Sequence, residues 1–300
     1  MSWRTVVVSK TAKLDYSLGC LVVRDVESTA KVHISEISLL IIESVSASVT
    51  AYLLNELIKN KVKVIFCDEK RNPSFELTPY HGSHDCSLKL RRQIEWTDFA
   101  KKYIWIEIIA EKIRRQALVL QSFRLSKADM LLGYIEELEL GDASNREGHA
   151  AKVYFNELFG RQFSRSQDCP TNAALNFGYS LILSAFNREV VSCGYVTQLG
   201  IFHDNMFNQY NLGCDLMEPI RPFVDACVKS MNPDKFDKEE KMILLQLLSK
   251  EVTVDARKNT LLNAIKIYTK SVLDAIEAVD ASLIKYIEYE LSVYESDCVL

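Results

Sequence analysis

Residues 72–87, NPSFELTPYHGSHDCS, are the stretch on which the reading of this chain turns. Pro73, Pro79, Gly82 and several polar side chains mark a linker, and the hydrophobic period differs on its two sides. Before it come short β-rich runs separated by turn-forming residues: WRTVVVS at 3–9, GCLVVRD at 19–25, AKVHI at 30–34, EISLLIIES at 36–44 and VKVIFCD at 62–68. One helix interrupts them in SVTAYLLNELIKNK at 48–61, where Val49, Leu53, Leu54, Leu57 and Ile58 recur at helical spacing and Ser48 is the expected cap. Beyond the linker the period becomes 3.6, over 87–121, 126–139, 146–159, 171–191, 213–230, 238–249 and 258–290. The expected fold class is therefore α+β: a small β domain with one helix over residues 1–82, then a larger all-α domain over 83–300. The tail after Glu290, LSVYESDCVL, loses periodicity and is expected to fray.

The 300 residues, 48% hydrophobic and 25% charged, describe a soluble globular protein with a sizeable core. The opening MSWRTVVVSK lacks the apolar core of a signal peptide, and the longest apolar run, around SLLIIESV, is too short for a bilayer, so a cytoplasmic location without membrane association is expected. Eight cysteines without a CxxC pair exclude a zinc ribbon or a disulfide scaffold and read as core thiols. A net charge of −4 argues against nucleic-acid binding by bulk charge, so any DNA contact must use local patches. The candidates are Lys89 with Arg91 and Arg92, Lys101 with Lys102, Lys112 with Arg114 and Arg115, and Arg161 with Arg165. Each of these, taken alone, is more often the solvated face of a helix.

Chemistry concentrates in three segments, SNREGHAAKVYF at 144–155, LGIFHDN at 199–205 and CDLMEPIRPFVD at 214–225. Glu147, His203 and Glu218 supply two carboxylates and one imidazole, a set that suits magnesium or manganese better than softer metals. Each has a structural alternative. Ser144 to Glu147 fits the S-x-x-E capping box of a helix start. Asp215 and Glu218 lie three apart, meet on one helical face before Pro219, and would repel unless a metal or Arg221 stands between them. His203 follows Gly200 in a loop-like context where a lone histidine needs no special role. In TNAALNFGYSLILSAFNREVV at 171–191, Asn172, Asn176, Ser180, Ser184 and Arg188 share one face of an otherwise apolar helix, either as a hydrogen-bonded stripe or as the wall of an active site.

The order and wording of NREGHAAKVYFNELFG, NAALNFGYSLILSAFNREVV and LGIFHDNMFNQYNLGCDLMEPIRPFVD resemble CRISPR-associated protein one, the integrase of CRISPR spacer acquisition. The likeness extends to WRTVVVSK, HISEI, VKVIFCDEKRNP and HDCSLKLRRQ, and the opening with HGSHDCSLKL is most similar to the type II-A branch. The resemblance implies an N-terminal β domain joined to a helical catalytic domain, with a magnesium or manganese ion at Glu147, His203 and Glu218 and Asp215 as a supporting acidic position. It implies joining of a short DNA duplex to a CRISPR repeat by transesterification, each 3′-hydroxyl attacking a repeat phosphodiester, with Arg146, Arg161, Arg165, Arg188 and Arg221 as DNA contacts. The metal would neutralise phosphate charge and stabilise the leaving oxygen, or His203 would protonate that oxygen. It further implies homodimers, associated through residues 1–82, flanking a dimer of CRISPR-associated protein two in a heterohexamer. Type II-A systems add the RNA-guided effector nuclease and a ring-shaped DNA-end-binding accessory protein. A metal-dependent DNA repair nuclease would share the ligands but lack joining, and a non-catalytic DNA-binding scaffold would bind no metal.

Overall fold

The computed structural model describes residues 4–79 and 83–290. The chain divides into two compact units, Met1–Tyr80 and His81–Leu300. The expected boundary after residue 82 and the tail after Glu290 fall outside the described residues.

The first unit runs β1 (Arg4–Val8), β2 (Lys13–Ser17), β3 (Cys20–Arg24), β4 (Thr29–His33), β5 (Ile37–Ile42), β6 (Ser48–Val49), α1 (Ala51–Lys59), β7 (Lys63–Cys67) and β8 (Pro73–Glu76). Two four-stranded sheets result, ordered β1-β5-β7-β8 and β4-β3-β2-β6. In the first, β1, β5 and β7 are parallel, with Leu40 between Val6 and Val64. Parallel strands are covered on both faces, which is why β5 reads as a continuous apolar run rather than an alternating one. In the second, β2 and β3 form a hairpin through Leu18 and Gly19, both at positive φ (49° and 79°), as a two-residue turn requires. Leu14 and Leu21 from one sheet, Leu40 and Val64 from the other, and Leu53 and Leu57 from α1 share one core.

Two local expectations are corrected here. The cap of α1 is Thr50, whose hydroxyl accepts the Leu53 N–H at 3.3 Å, while Ser48 lies in β6. The supposed linker contributes the edge strand β8, antiparallel to β7, with Phe75 stacked on Phe66 at 4.5 Å. Proline is a loop signal in sequence, but at the first position of an edge strand it forfeits no ladder hydrogen bond.

The second unit comprises α2 (Cys86–Ile94), α3 (Asp98–Ser122), α4 (Ala128–Glu136), α5 (Arg146–Phe159), α6 (Pro170–Ser192), α7 (Asn211–Met217), α8 (Arg221–Met231), α9 (Lys238–Gln246), β9 (Glu251–Val254), β10 (Arg257–Thr260), α10 (Leu261–Ala278) and β11 (Ile287–Glu288). The stretch 87–121 divides because Thr97 caps α3, accepting the Ala100 N–H at 3.2 Å. Pro219 divides 213–230, so a single 3-10 turn, Glu218–Ile220, separates α7 from α8. Ile104, Trp105, Ile108, Ile109, Ile113 and Leu120 are buried on α3, which packs against α4, α5, α8 and α10. Helix α6 packs on α7 to α10, and Gly178 allows its close approach to α8, where a Cβ would collide with Val224.

The second unit is mostly helical but not all-α, because β10, β9 and β11 form an antiparallel sheet. Its hairpin turns on Asp255 and Ala256 at φ 53° and 56°. Alanine there carries no turn signature, and the alternation of buried Val252 and Val254 is only four residues long. No helix of the described residues is long and apolar enough to cross a membrane. None of the described cysteines is in a disulfide, and only Cys67 and Cys227 are buried, so the core-thiol reading holds for those two.

Candidate active site

Asp215 in α7 is fully buried and organises the loop before it. Its carboxylate accepts the N–H groups of Ile201 (2.6 Å), Phe202 (3.1 Å) and His203 (3.1 Å), and meets Nδ1 of the His203 ring at 2.6 Å. Gly200 is needed for this wrap, since a Cβ would press on the His203 carbonyl and on Asp215. Phe202 stacks on Trp105 of α3 at 4.4 Å, and Trp105 meets the His203 ring edge-on at 5.8 Å. With Nδ1 so engaged, Nε2 is the imidazole nitrogen left for chemistry. The Asp215 hydrogen bond, working against burial and joined by the charges of Asp215, Glu218 and Glu147, raises the imidazole above its ordinary 6.5.

Glu147 stands in the first turn of α5, but the expected capping box does not form. The N-cap is Asn145, at φ 53° and without a side-chain cap bond. Asp142 does the capping, accepting the N–H groups of Arg146 (2.7 Å) and Glu147 (3.1 Å), while the Ser144 hydroxyl turns to the Glu137 carbonyl. The Glu147 carboxylate is thereby spared for another partner, the Lys112 ammonium of α3, at 2.6 Å.

Glu218, in the 3-10 turn, meets the same ammonium through Oε2, also at 2.6 Å, and accepts Nε of Arg221 on Oε1 at 2.8 Å. Two carboxylate oxygens from segments some seventy positions apart are thus separated by no more than twice 2.6 Å. Burial alone would raise the Glu218 carboxyl, but Arg221 and Lys112 hold it below the usual carboxylate range. Burial likewise works against the Lys112 charge, yet Glu218 and Glu147 prevail and raise its pKa. Asp215 and Glu218 do not share a cation as their spacing suggested: one turns to the His203 loop and the other to Lys112 and Arg221.

The basic residues differ in their surroundings. Lys112 is buried between carboxylates rather than offered to solvent, and Arg114 and Arg115 both pair with Glu111. Arg146 pairs with Glu137, Arg188 with Glu189 and Arg221 with Glu218. Arg165 differs: its guanidinium binds the side-chain oxygens of Asn172 and Asn176 and lies over the Tyr179 ring at 5.3 Å. Among the described residues no carboxylate lies within 4.0 Å of it. Arg161 is exposed. The polar stripe of α6 is accordingly divided between tasks. Asn172 holds the 164–167 turn and Arg165, Asn176 also holds Arg165, Ser180 and Ser184 bond to carbonyls of their own helix, and Arg188 pairs with its neighbour.

Among the described residues no cluster of three or more His, Cys, Asp or Glu side chains is arranged to hold a metal ion, for the Lys112 ammonium stands between the two acids. The donor chemistry nevertheless fits a hard divalent cation: two carboxylates, one imidazole with its second nitrogen anchored, and a buried Glu218 Oε2 that makes no well-directed hydrogen bond. Lys112 and Asp142 are the residues that sequence reasoning missed. Lys112 had a signal: it follows Trp105 by seven and Ile108 by four, at a place where the buried stripe of α3 should have stayed apolar.

The profile of CRISPR associated protein Cas1 matches residues 5–258. A CRISPR-associated endonuclease Cas1 of Neisseria meningitidis serogroup C (strain 8013) is 32% identical over 229 residues, 76% of this chain and 75% of that protein. A casposase bound to integration product shares the fold with a TM-score of 0.69 at 18% identity, covering 97% of this chain and 95% of that one. A chain of a Cas6-RT-Cas1–Cas2 complex does so with a TM-score of 0.69 at 16% identity, covering 94% of this chain and 36% of that one. With the profile spanning most of its length and the Neisseria relative covering three quarters of it, the chain belongs to the CRISPR associated protein Cas1 family, that of the CRISPR-associated DNA endonucleases and integrases.

Proposed function

We propose that Glu147, His203 and Glu218 form the catalytic centre of this Cas1-family enzyme and that, with magnesium or manganese, they insert short duplex DNA fragments into a CRISPR repeat by transesterification. The observation that carries the reading is the convergence of Glu147 and Glu218 on one cation, with His203 held by Asp215 in the field of both. A divalent ion at these residues would supply charge neutralisation and Lewis-acid polarisation of a phosphoryl oxygen. Asp215 holds the His203 loop and ring, which leaves Nε2 as the ring nitrogen open to a metal or a proton. Where Nε2 carries a proton instead of a metal, the raised proton affinity of the imidazole suits the alternative role, donating that proton to the leaving 3′ oxygen. Arg165, fixed by neutral groups, keeps its full charge for a backbone phosphate, and exposed Arg161 is its neighbour in sequence. Arg146, Arg188 and Arg221 would reach DNA with the N–H groups their carboxylates leave over.

The assembly proposed is a homodimer associated through residues 1–82, flanking a dimer of CRISPR-associated protein two in a heterohexamer in the cytoplasm. The type II-A branch, with its effector nuclease and accessory ring protein, rests on the opening and on HGSHDCSLKL. The Cas6-RT-Cas1–Cas2 complex and the casposase bound to integration product, both of the same fold, support the partner and the DNA chemistry. The deciding assay supplies a supercoiled plasmid carrying a repeat, a labelled duplex and the partner protein. Glu218→Gln should abolish joining and leave duplex binding within about twofold, since it removes a charge from the centre and little from the phosphate-contacting surface. Equal loss of both would favour a scaffold, and cleavage without joining a repair nuclease. A chain beginning at residue 83 should run as a monomer in sizing chromatography.

A further inference from the structure

We infer that Lys112 is the resident cation of this centre: its ammonium holds Glu147 and Glu218 together in the metal-free protein and must yield its place when a divalent ion binds, so that Lys112 sets the metal affinity. The inference rests on the reading of Glu147 and Glu218 as metal ligands.

Two carboxylates at this separation, Glu218 buried and Glu147 half-buried, repel unless a cation stands between them. Lys112 supplies it from a buried position, its side chain 9% exposed and its Nζ 2.6 Å from an oxygen of each acid. The lysine is no surface residue that folded inward by chance, since it continues the buried face of Trp105, Ile108 and Ile109. Arg221 occupies only Oε1 of Glu218, so the position shared by both acids belongs to Lys112 alone among the described basic residues. A divalent ion held by the same two acids would be brought against the ammonium, like charge upon like charge. The flexible four-carbon stem of lysine lets its point charge rotate away, which a forked guanidinium on two carboxylates would resist. The consequence is an exchange: the acids stay side by side in either state, and each metal ion that enters displaces one ammonium.

The test uses the full chain and manganese alone as probe, read by the paramagnetic resonance of unbound Mn2+ and by thermal unfolding in EDTA and in manganese, for the wild type, Lys112→Met and Lys112→Arg. Lys112→Met should unfold at a lower temperature than wild type in EDTA, gain more from manganese, and bind it about tenfold more tightly, because the competing charge is gone. Lys112→Arg should bind manganese more weakly than wild type. If the methionine variant is recovered only with manganese present, the metal has replaced the lysine and the inference stands. If it is recovered in neither buffer, the arginine variant decides, and manganese binding as tight as wild type overturns the inference. Equal affinity in all three proteins overturns it while leaving the metal centre intact. A folded wild type that binds no manganese removes the metal centre itself, and this inference with it.

Discussion

The loop around Asp215 and the cluster around Lys112 contain buried carboxylates only three residues apart in sequence, yet the two are held in opposite ways. Asp215 is saturated by three backbone N–H groups and an imidazole, all covalently tied to one loop. Glu218 is held by two side-chain cations, and Glu147 by one of the same two. Backbone donors cannot be exchanged without unfolding the loop, whereas an ammonium on a flexible stem can move. The difference separates an acid that builds the site from acids that can change partners within it.

The sharpest way to break this comparison is to exchange the two acids' consequences. Glu218→Gln should reduce joining by about a thousandfold or more while the protein stays folded, as measured by strand transfer beside circular dichroism. Asp215→Ala should instead cost about 3–5 kcal/mol in urea unfolding, because it strands three backbone N–H groups, that of Ile201 buried and two half-buried, and an oriented imidazole at once. A glutamine variant that fails to fold, or an alanine variant with normal stability, would invert the assignment.

Asp225 in α8 sharpens the contrast with a third kind of partner. It is buried and accepts the Tyr179 hydroxyl, and burial, opposed by the Tyr179 and Tyr154 hydroxyls, pushes its carboxyl from 3.8 up to about 6. An acid whose pKa is raised on folding binds its proton more tightly in the folded state. Its contribution to stability is fully present below pH 3.8 and is lost as the pH climbs through about 6. The interval corresponds to about 3 kcal/mol, so Asp225→Asn should flatten the unfolding free energy between pH 4 and 7 by up to that amount. An unchanged slope would place the titration elsewhere.

Asp142 gives the smallest effect. Like Asp215 it serves backbone N–H groups, those of Arg146 and Glu147, but at a helix start where water can substitute for it. Asp142→Ala should cost about 1 kcal/mol in urea unfolding and weaken manganese binding by loosening the turn that carries Glu147. A loss as large as that of Asp215→Ala would make the two caps equivalent.

Most of the architecture was legible because it depends on period. The strand runs of the first unit, the helices of the second and the change between them follow from side chains alternating by 2 or recurring by 3.6. What escaped depends on partners distant in the chain. Strand β8 requires β7 beside it, and the hairpin of β9 and β10 turns on an Asp-Ala pair that no local rule marks. The S-x-x-E pattern at Ser144 is present, but Asp142 takes the Glu147 N–H that the serine would have capped.

The site divides in the same manner. Sequence by itself determined which residue types were present, two carboxylates and an imidazole in the wording of a known family, and so which metals and which phosphodiester chemistry those donors suit. Tertiary structure decided that Asp215 serves the loop, that Glu218 faces Glu147, and that Lys112 stands between them. Donor chemistry belongs to single residues and can be read one letter at a time. A shared cation is a relation between three side chains distant in sequence, and only the packing of α3 against α5 and the turn at Glu218 creates it.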